Sequence, residues 1–321
     1  MIDISTAQLD PYRGFHFFHE EVNIYVKVSL SAALLLIRQT ANPKDSDELH
    51  DLIRLTHPSW NTPPIREMSL DIQRRTYGSI SAFSLISIFS AFDDFIVGTS
   101  AELHRYYSSE PGKQPVKLVC AKVPIRVETS HQNDDDDDDS EERLRAFFDK
   151  NGWDSAAIVP LLPIVRYFRL CRNCIAHRNG RASRALVKCA ADDEIHKQIK
   201  VLLDTSSGGL KKYSINDYVF IEPTQAILCS HLLRRIAQHA NGQLLNTLGL
   251  DGFLRSVAHH TMFADQISRT DAAKTAESVL NASLTNRYRA KVSDSKVGIQ
   301  EMKRLGLWKR YLEEFNRKYV I

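Results

Sequence analysis

The sequence predicts a mostly α-helical protein. Four long stretches, 20–41, 66–106, 154–178 and 222–240, carry apolar residues at helical spacing. Only two short segments, 116–127 and 218–222, have strand composition, and they are candidates to form one small strand pair. Proline and glycine fall between the helical stretches, at Pro43, Gly152 and Gly306, where they stop a helix.

Each element has its own signal. The stripe in 20–41 ends near Pro43. The segment around "SISAFSLISIFSAFDDFIVGTSAEL" is apolar on more than one side, as a central core helix is. Residues 141–151 form a short helix with Glu141 and Glu142 in the first turn and Gly152 just past the end. The stretch 154–178 is opened by Asp154 and kinked or restarted at Pro160 and Pro163. Further helices are expected over 183–204, 222–240, 271–290 and 295–318, the last a pair joined near Gly306 with Met302, Leu305, Trp308, Leu312 and Phe315 on its apolar side. The chain divides into an N-terminal helical segment (1–65), a helical core (66–205) and a C-terminal helical region with a basic tail (206–321).

Composition narrows the class. Of 321 residues, 43% are hydrophobic and 25% charged, as in a soluble globular protein. The N-terminus has no basic-then-apolar secretory pattern, and the apolar run at 28–37 is about half of what spans a bilayer. Five scattered cysteines argue for a reducing compartment, so a cytoplasmic protein away from membranes is expected. Six consecutive aspartates, 134–139, repel one another, and a disordered acidic loop is expected over about 128–142. Residues 285–321 hold ten Lys/Arg against four Asp/Glu, a basic tail that either docks on phosphates or is the solvated face of a helical pair.

The densest polar chemistry is "RLCRNCIAHRNG", 169–180. At about 100° per residue, Leu161, Ile164, Phe168, Cys171 and Ile175 share the core side. Arg166, Asn173 and His177 fall opposite, with Arg169 close by and Arg172 on the flank, long enough to curl toward His177. Arg178, Arg181 and Arg184 follow at once. Three readings compete. A zinc site on Cys171, Cys174 and His177 lacks a second ligand pair and points its thiols partly at the core, so no metal is expected. A structural reading has His177 capping the last carbonyls. The third is phosphoryl transfer on RNA, which needs an acid–base group and a fixed cation for the developing charge.

"RNCIAH" resembles the R-x-x-x-x-H signature of the HEPN superfamily, with a polar residue right after the arginine. "SAFDDFI" (90–96), about eighty residues earlier in the longest core helix, resembles the acidic stretch that these domains carry. The resemblance covers roughly 66–205 and implies a HEPN-like helical bundle with an additional C-terminal helical region. It implies a metal-independent endoribonuclease without cofactor, acting on RNA as a homodimer in bacterial defence or a toxin system, with any antitoxin or defence partner encoded separately. By position, Arg172 polarises the scissile phosphate, His177 transfers protons and Asn173 orients the pair. Asp93, and with it Asp94, holds Arg172 or His177 from across the cleft, and Arg169, Arg178 and Arg181 contact RNA. The rivals are a non-catalytic HEPN-like RNA-binding or assembly module and a nucleic-acid regulator acting through the basic tail.

Other clusters read as bland. "HFFHEE" (16–21) is taken as an N-terminal amphipathic cap, and "SVAHHTMF" (256–263) is given no role.

Overall fold

The computed structural model describes residues 1–39, 48, 51, 70–109, 140–202, 209–264 and 275–319. Helix α1 (Asp10–Gln39) opens with Asp10 and Pro11 in its first turn, where a carboxylate meets the helix dipole and a missing N–H costs nothing. It starts ten residues before the expected boundary. Its first turns look polar in sequence, yet His16 and His19 are buried beside Tyr12 and Phe15. The expected amphipathic cap turns both histidines inward and leaves Phe17, Phe18 and Glu20 exposed.

Helix α2 (Leu70–Ser109) runs forty residues without a proline. Over Thr76–Tyr107 it is long and apolar enough to cross a membrane by length and composition. Here it lies against α1 and against α7 (Pro223–Ala258), and Leu85, Ile88, Phe89, Phe92 and Phe95 disappear into the shared core. These three long helices frame the protein.

Helix α3 (Ser140–Lys150) begins with Glu141 and Glu142, as expected. Asp154 accepts from the Ala156 N–H at 2.9 Å but caps no long helix. A 3-10 turn, Val159–Leu161, holds Pro160, and α4 (Leu162–His177) restarts with Pro163 in its first turn. The expected helix 183–204 is two, α5 (Arg184–Ala191) and α6 (Asp193–Leu202), separated at Asp192, whose extended backbone ends the first. Ser183 caps α5 by accepting from the Leu186 N–H at 3.2 Å.

Helix α7 opens with a capping box between Glu222 and Gln225 and runs past the expected end, kinking at Gly249 (φ 59°). It continues into a π turn, His259–Phe263. Helix α8 (Ala276–Ala282) also ends in a π turn, Ser283–Arg287. Helices α9 (Ser295–Arg304) and α10 (Trp308–Tyr319) form the expected pair across Gly306. Met302, Tyr311 and Phe315 are buried there, whereas Leu312, expected on the apolar side, is exposed.

The protein is mostly α, and its described residues hold one two-stranded antiparallel sheet: β1 (Ile2–Asp3) pairs with β2 (Lys291–Val292), Ile2 opposite Val292. Of the segments with strand composition, 218–222 contributes only an isolated bridge, Tyr218 to Arg181, and 116–127 lies outside the described residues, as do the aspartates 134–139. One hydrophobic core extends from Ile2 to Phe315 and joins all three expected segments.

Candidate functional site

Helix α4 is strongly two-faced. Leu162, Ile164, Val165, Phe168, Leu170, Cys171 and Cys174 are buried and fix its rotation. Tyr167 is also buried and donates to the Lys211 carbonyl at 3.0 Å. The remaining stripe carries the half-buried Arg169, Arg172 and Asn173 and the exposed His177. The helix ends at His177, because the N–H groups of Arg178 and Gly180 both return to the Cys174 carbonyl, at 3.1 and 3.0 Å. Asn179, just past the cap residue Arg178, takes φ 51°, the left-handed conformation that such a stop requires, and Gly180 follows at φ 74°.

Arg172, Asn173 and His177 converge. Arg172 Nη1 donates to Asn173 Oδ1 at 3.2 Å and lies 3.1 Å from His177 Nε2. A guanidinium offers only donors, so the Nε2 facing it presents its lone pair, and the ring proton sits on Nδ1. His177 is exposed and Arg172 is half-buried. The group is thus an accessible imidazole with a basic nitrogen beside a fixed cation.

Asp93 faces this helix from α2, and its direct partner is Arg169. Arg169 Nη2 reaches Asp93 Oδ1 at 3.0 Å, with side chains 18% and 15% exposed. The same guanidinium packs over the Phe89 ring, 4.8 Å from its centre. Burial pushes the Asp93 carboxyl above its ordinary range, against the pull of Arg169 and the charge of Arg172, while Asp94 adds to the rise. Asp93 thus reaches Arg169 directly and feels Arg172 through its charge, and Arg169 is engaged within the protein. Asp94 is turned away and lines a groove of about 540 Å³ between α1 and α2, with Asp10, Gly14, Phe18 and Ser90.

Arg178 is half-buried just beyond the helix, and Arg181 and Arg184 are exposed. Arg181 Nη1 donates to the Asn216 carbonyl at 3.1 Å, and its guanidinium stacks 3.7 Å from the centre of the Tyr218 ring. Sequence reasoning gave Tyr218 to a strand and missed this stack, since residues thirty-seven apart show no mutual pattern. Cys171 and Cys174 lie in the core while His177 is exposed, and burial pushes the Cys171 thiol well up. Among the described residues no three His, Cys, Asp or Glu gather closely enough to hold a metal ion.

Two further ionisable clusters lie elsewhere. Glu102 on α2, 4% exposed, accepts from His260, from Arg105 at 2.7 Å and from Ser256 at 3.0 Å. His260 also approaches Asp10 at 3.6 Å, and Asp10 takes two bonds from Arg287 (3.1 and 2.9 Å) and one from Tyr288 (2.8 Å). Burial alone would raise the Glu102 carboxyl, but His260 and Arg105 outweigh it and hold it at about 2. The second cluster is His19, whose Nδ1 is 2.5 Å from Ser230 Oγ and whose Nε2 accepts from Asn23 at 3.2 Å.

Comparison of the chain with protein-family models, with curated proteins and with solved structures found no match.

Proposed function

We propose that the chain is a metal-independent endoribonuclease of the HEPN type, working as a homodimer in bacterial anti-phage defence or a toxin system. The observation that carries this reading is the convergence of Arg172 on Asn173 and on the lone-pair nitrogen of His177. His177 Nε2 takes the proton of a ribose 2′-hydroxyl, and the freed oxygen attacks the adjacent phosphorus. Arg172 neutralises the charge that grows on the non-bridging oxygens. The bond from phosphorus to the 5′-oxygen breaks, and that oxygen receives a proton from the His177 of a second copy. The products are a 2′,3′-cyclic phosphate and a 5′-hydroxyl. A separately encoded antitoxin or defence partner would restrain the activity.

A second reading keeps the RNA and drops the chemistry: the same basic helix end serves a non-catalytic RNA-binding or assembly module. A regulator working through the C-terminal tail draws less support. Arg304 is paired with Asp251 and Glu301, Arg317 with Glu314, and Lys318 Nζ donates to the Met262 and Ala264 carbonyls. Lys318 is engaged within the fold, and Arg304 and Arg317 sit in exposed pairs whose carboxylates a phosphate must displace.

The test is cleavage of total cellular RNA by purified protein in EDTA, beside His177→Ala and Arg172→Ala. The reading expects cutting by the wild type, with losses of roughly 100-fold or more in folded variants. Equal activity in all three places the chemistry elsewhere. Binding without cutting favours the non-catalytic module.

A further inference from the structure

We infer that Tyr218 and Arg181 form a base-stacking platform beside the candidate site, so that the RNA it takes is single-stranded next to the scissile phosphate. The inference rests on the proposed RNA reading of that site.

The platform is built rather than incidental. The segment carrying Tyr218 is anchored on both sides, with Tyr213 and Ile221 in the core and the Tyr213 hydroxyl donating to the Phe220 carbonyl at 3.0 Å. Between them the chain makes a tight turn. Ser214 N–H bonds Asp217 Oδ2 at 2.8 Å, Asp217 N–H bonds the Ser214 carbonyl at 3.1 Å, and Asn216 takes φ 66°. This turn is zipped onto the loop that leaves α4: Val219 N–H to the Gly180 carbonyl at 2.8 Å, Ala182 N–H to the Asp217 carbonyl at 2.9 Å, and Asn216 N–H to the Ala182 carbonyl at 3.1 Å. Tyr218 is held where no core contact demands an aromatic ring, and it remains 63% exposed.

The placement relative to His177 follows from the helix stop. The Gly180 N–H reaches back to Cys174, so the loop folds over the last turn of α4, the turn that carries His177. The Tyr218 ring lies against Gly180, where an added Cβ would come within 3.6 Å of it. Arg181 covers one face of the ring, and the exposure of the rest leaves an aromatic surface open to a base. Bases stack on aromatic rings and on guanidinium planes without regard to sequence, but only where they are unpaired. In a duplex the bases stay in their own stack, and this surface would find only sugar and phosphate.

The experiment uses the full chain carrying His177→Ala, in EDTA, with a synthetic oligoribonucleotide bearing 2-aminopurine at successive positions. Binding is read by anisotropy and stacking by quenching of the 2-aminopurine. Adding Tyr218→Ala is expected to lower single-strand affinity roughly 5- to 100-fold and abolish quenching at one position. Tyr218→Phe retains both, and affinity for the same strand in duplex form stays unchanged. Equal losses on single strand and duplex overturn the platform, as does unaltered quenching in Tyr218→Ala. The nuclease reading is scored separately by cleavage with His177 intact. Cutting with no Tyr218 effect sinks the platform alone. Tyr218-dependent quenching without cutting keeps the platform and sinks the catalysis. Absence of binding to any RNA overturns both.

Discussion

Arg169 of α4 and Asp93 of α2 meet at 3.0 Å, and this pair ties the helix that carries Arg172 and His177 to α2. Burial opposes the charge on Asp93 and outweighs both the charge of Arg169 and the hydrogen bond from it. Asp93→Asn keeps an acceptor for Arg169 and is expected to cost under about 1 kcal/mol in urea denaturation. Asp93→Ala strands the guanidinium and is expected to cost about 2 to 4 kcal/mol, much of it recovered by adding Arg169→Met. Equal costs for the two Asp93 variants would show that the carboxylate charge is what counts.

Arg172→Lys separates fork geometry from charge. A lysine keeps the cation but cannot bridge Asn173 and a phosphate in one plane. Cleavage is expected to fall roughly 10-fold or more, with the melting temperature unchanged. Full activity in Arg172→Lys would mean that a point charge suffices.

The His19 cluster makes the protein acid-sensitive. Burial lowers His19 to about 4, helped by His231, Arg234 and His16. A proton added at Nε2 would face the Asn23 amide, itself a donor. The unfolded chain therefore binds this proton more readily, and stability drops as pH falls from about 6.5 to about 4, by about 3 kcal/mol. His16 and His231 are also lowered by burial and act in the same direction. The measurement is the urea midpoint across that range, with His19→Gln flattening the curve.

Glu102 predicts a second, lower window. Its folded carboxyl sits at about 2 against an ordinary 4.5, so its contribution is complete above 4.5 and is lost as pH falls toward 2. Glu102→Ala leaves His260 and Arg105 without their buried partner and is expected to cost about 3 to 5 kcal/mol near neutral pH.

In the tail, Lys318 closes the π turn after α7 through two carbonyls, at 2.7 and 2.8 Å. Lys318→Ala is expected to lower stability by about 2 kcal/mol while leaving the salt dependence of RNA binding unaltered. A flatter salt dependence would return the tail to the nucleic-acid surface.

The sequence made some of this legible and hid the rest for physical reasons. The rotation of α4 was readable because its buried positions repeat every three to four residues, and that rotation brings Arg172 to Asn173 and His177. The partner of Asp93 was not readable: Arg169 and Arg172 lie one turn apart, and only the packing of two helices chooses between them. The start of α1 was misplaced because His16 and His19 look like surface residues until Ser230 and Asn23 supply the hydrogen bonds of His19 and Glu20 pairs with His16. Helix α7 runs eighteen residues past its expected end at 240, and Gly249 bends it without ending it. The π turns follow a period that an apolar stripe does not announce.

The strand pair of β1 and β2 belongs to a wider pattern with a consequence for biosynthesis. Gln8 N–H bonds the Tyr288 carbonyl, Leu9 N–H bonds Asn241, and Asp10 is held by Arg287 and Tyr288. Every one of these anchors is translated more than 230 residues after the residue it holds. On the ribosome, α1 waits without these partners until residues 241–292 have emerged. Such distant pairings slow folding. A product cut short before β2 leaves the first helix unlatched.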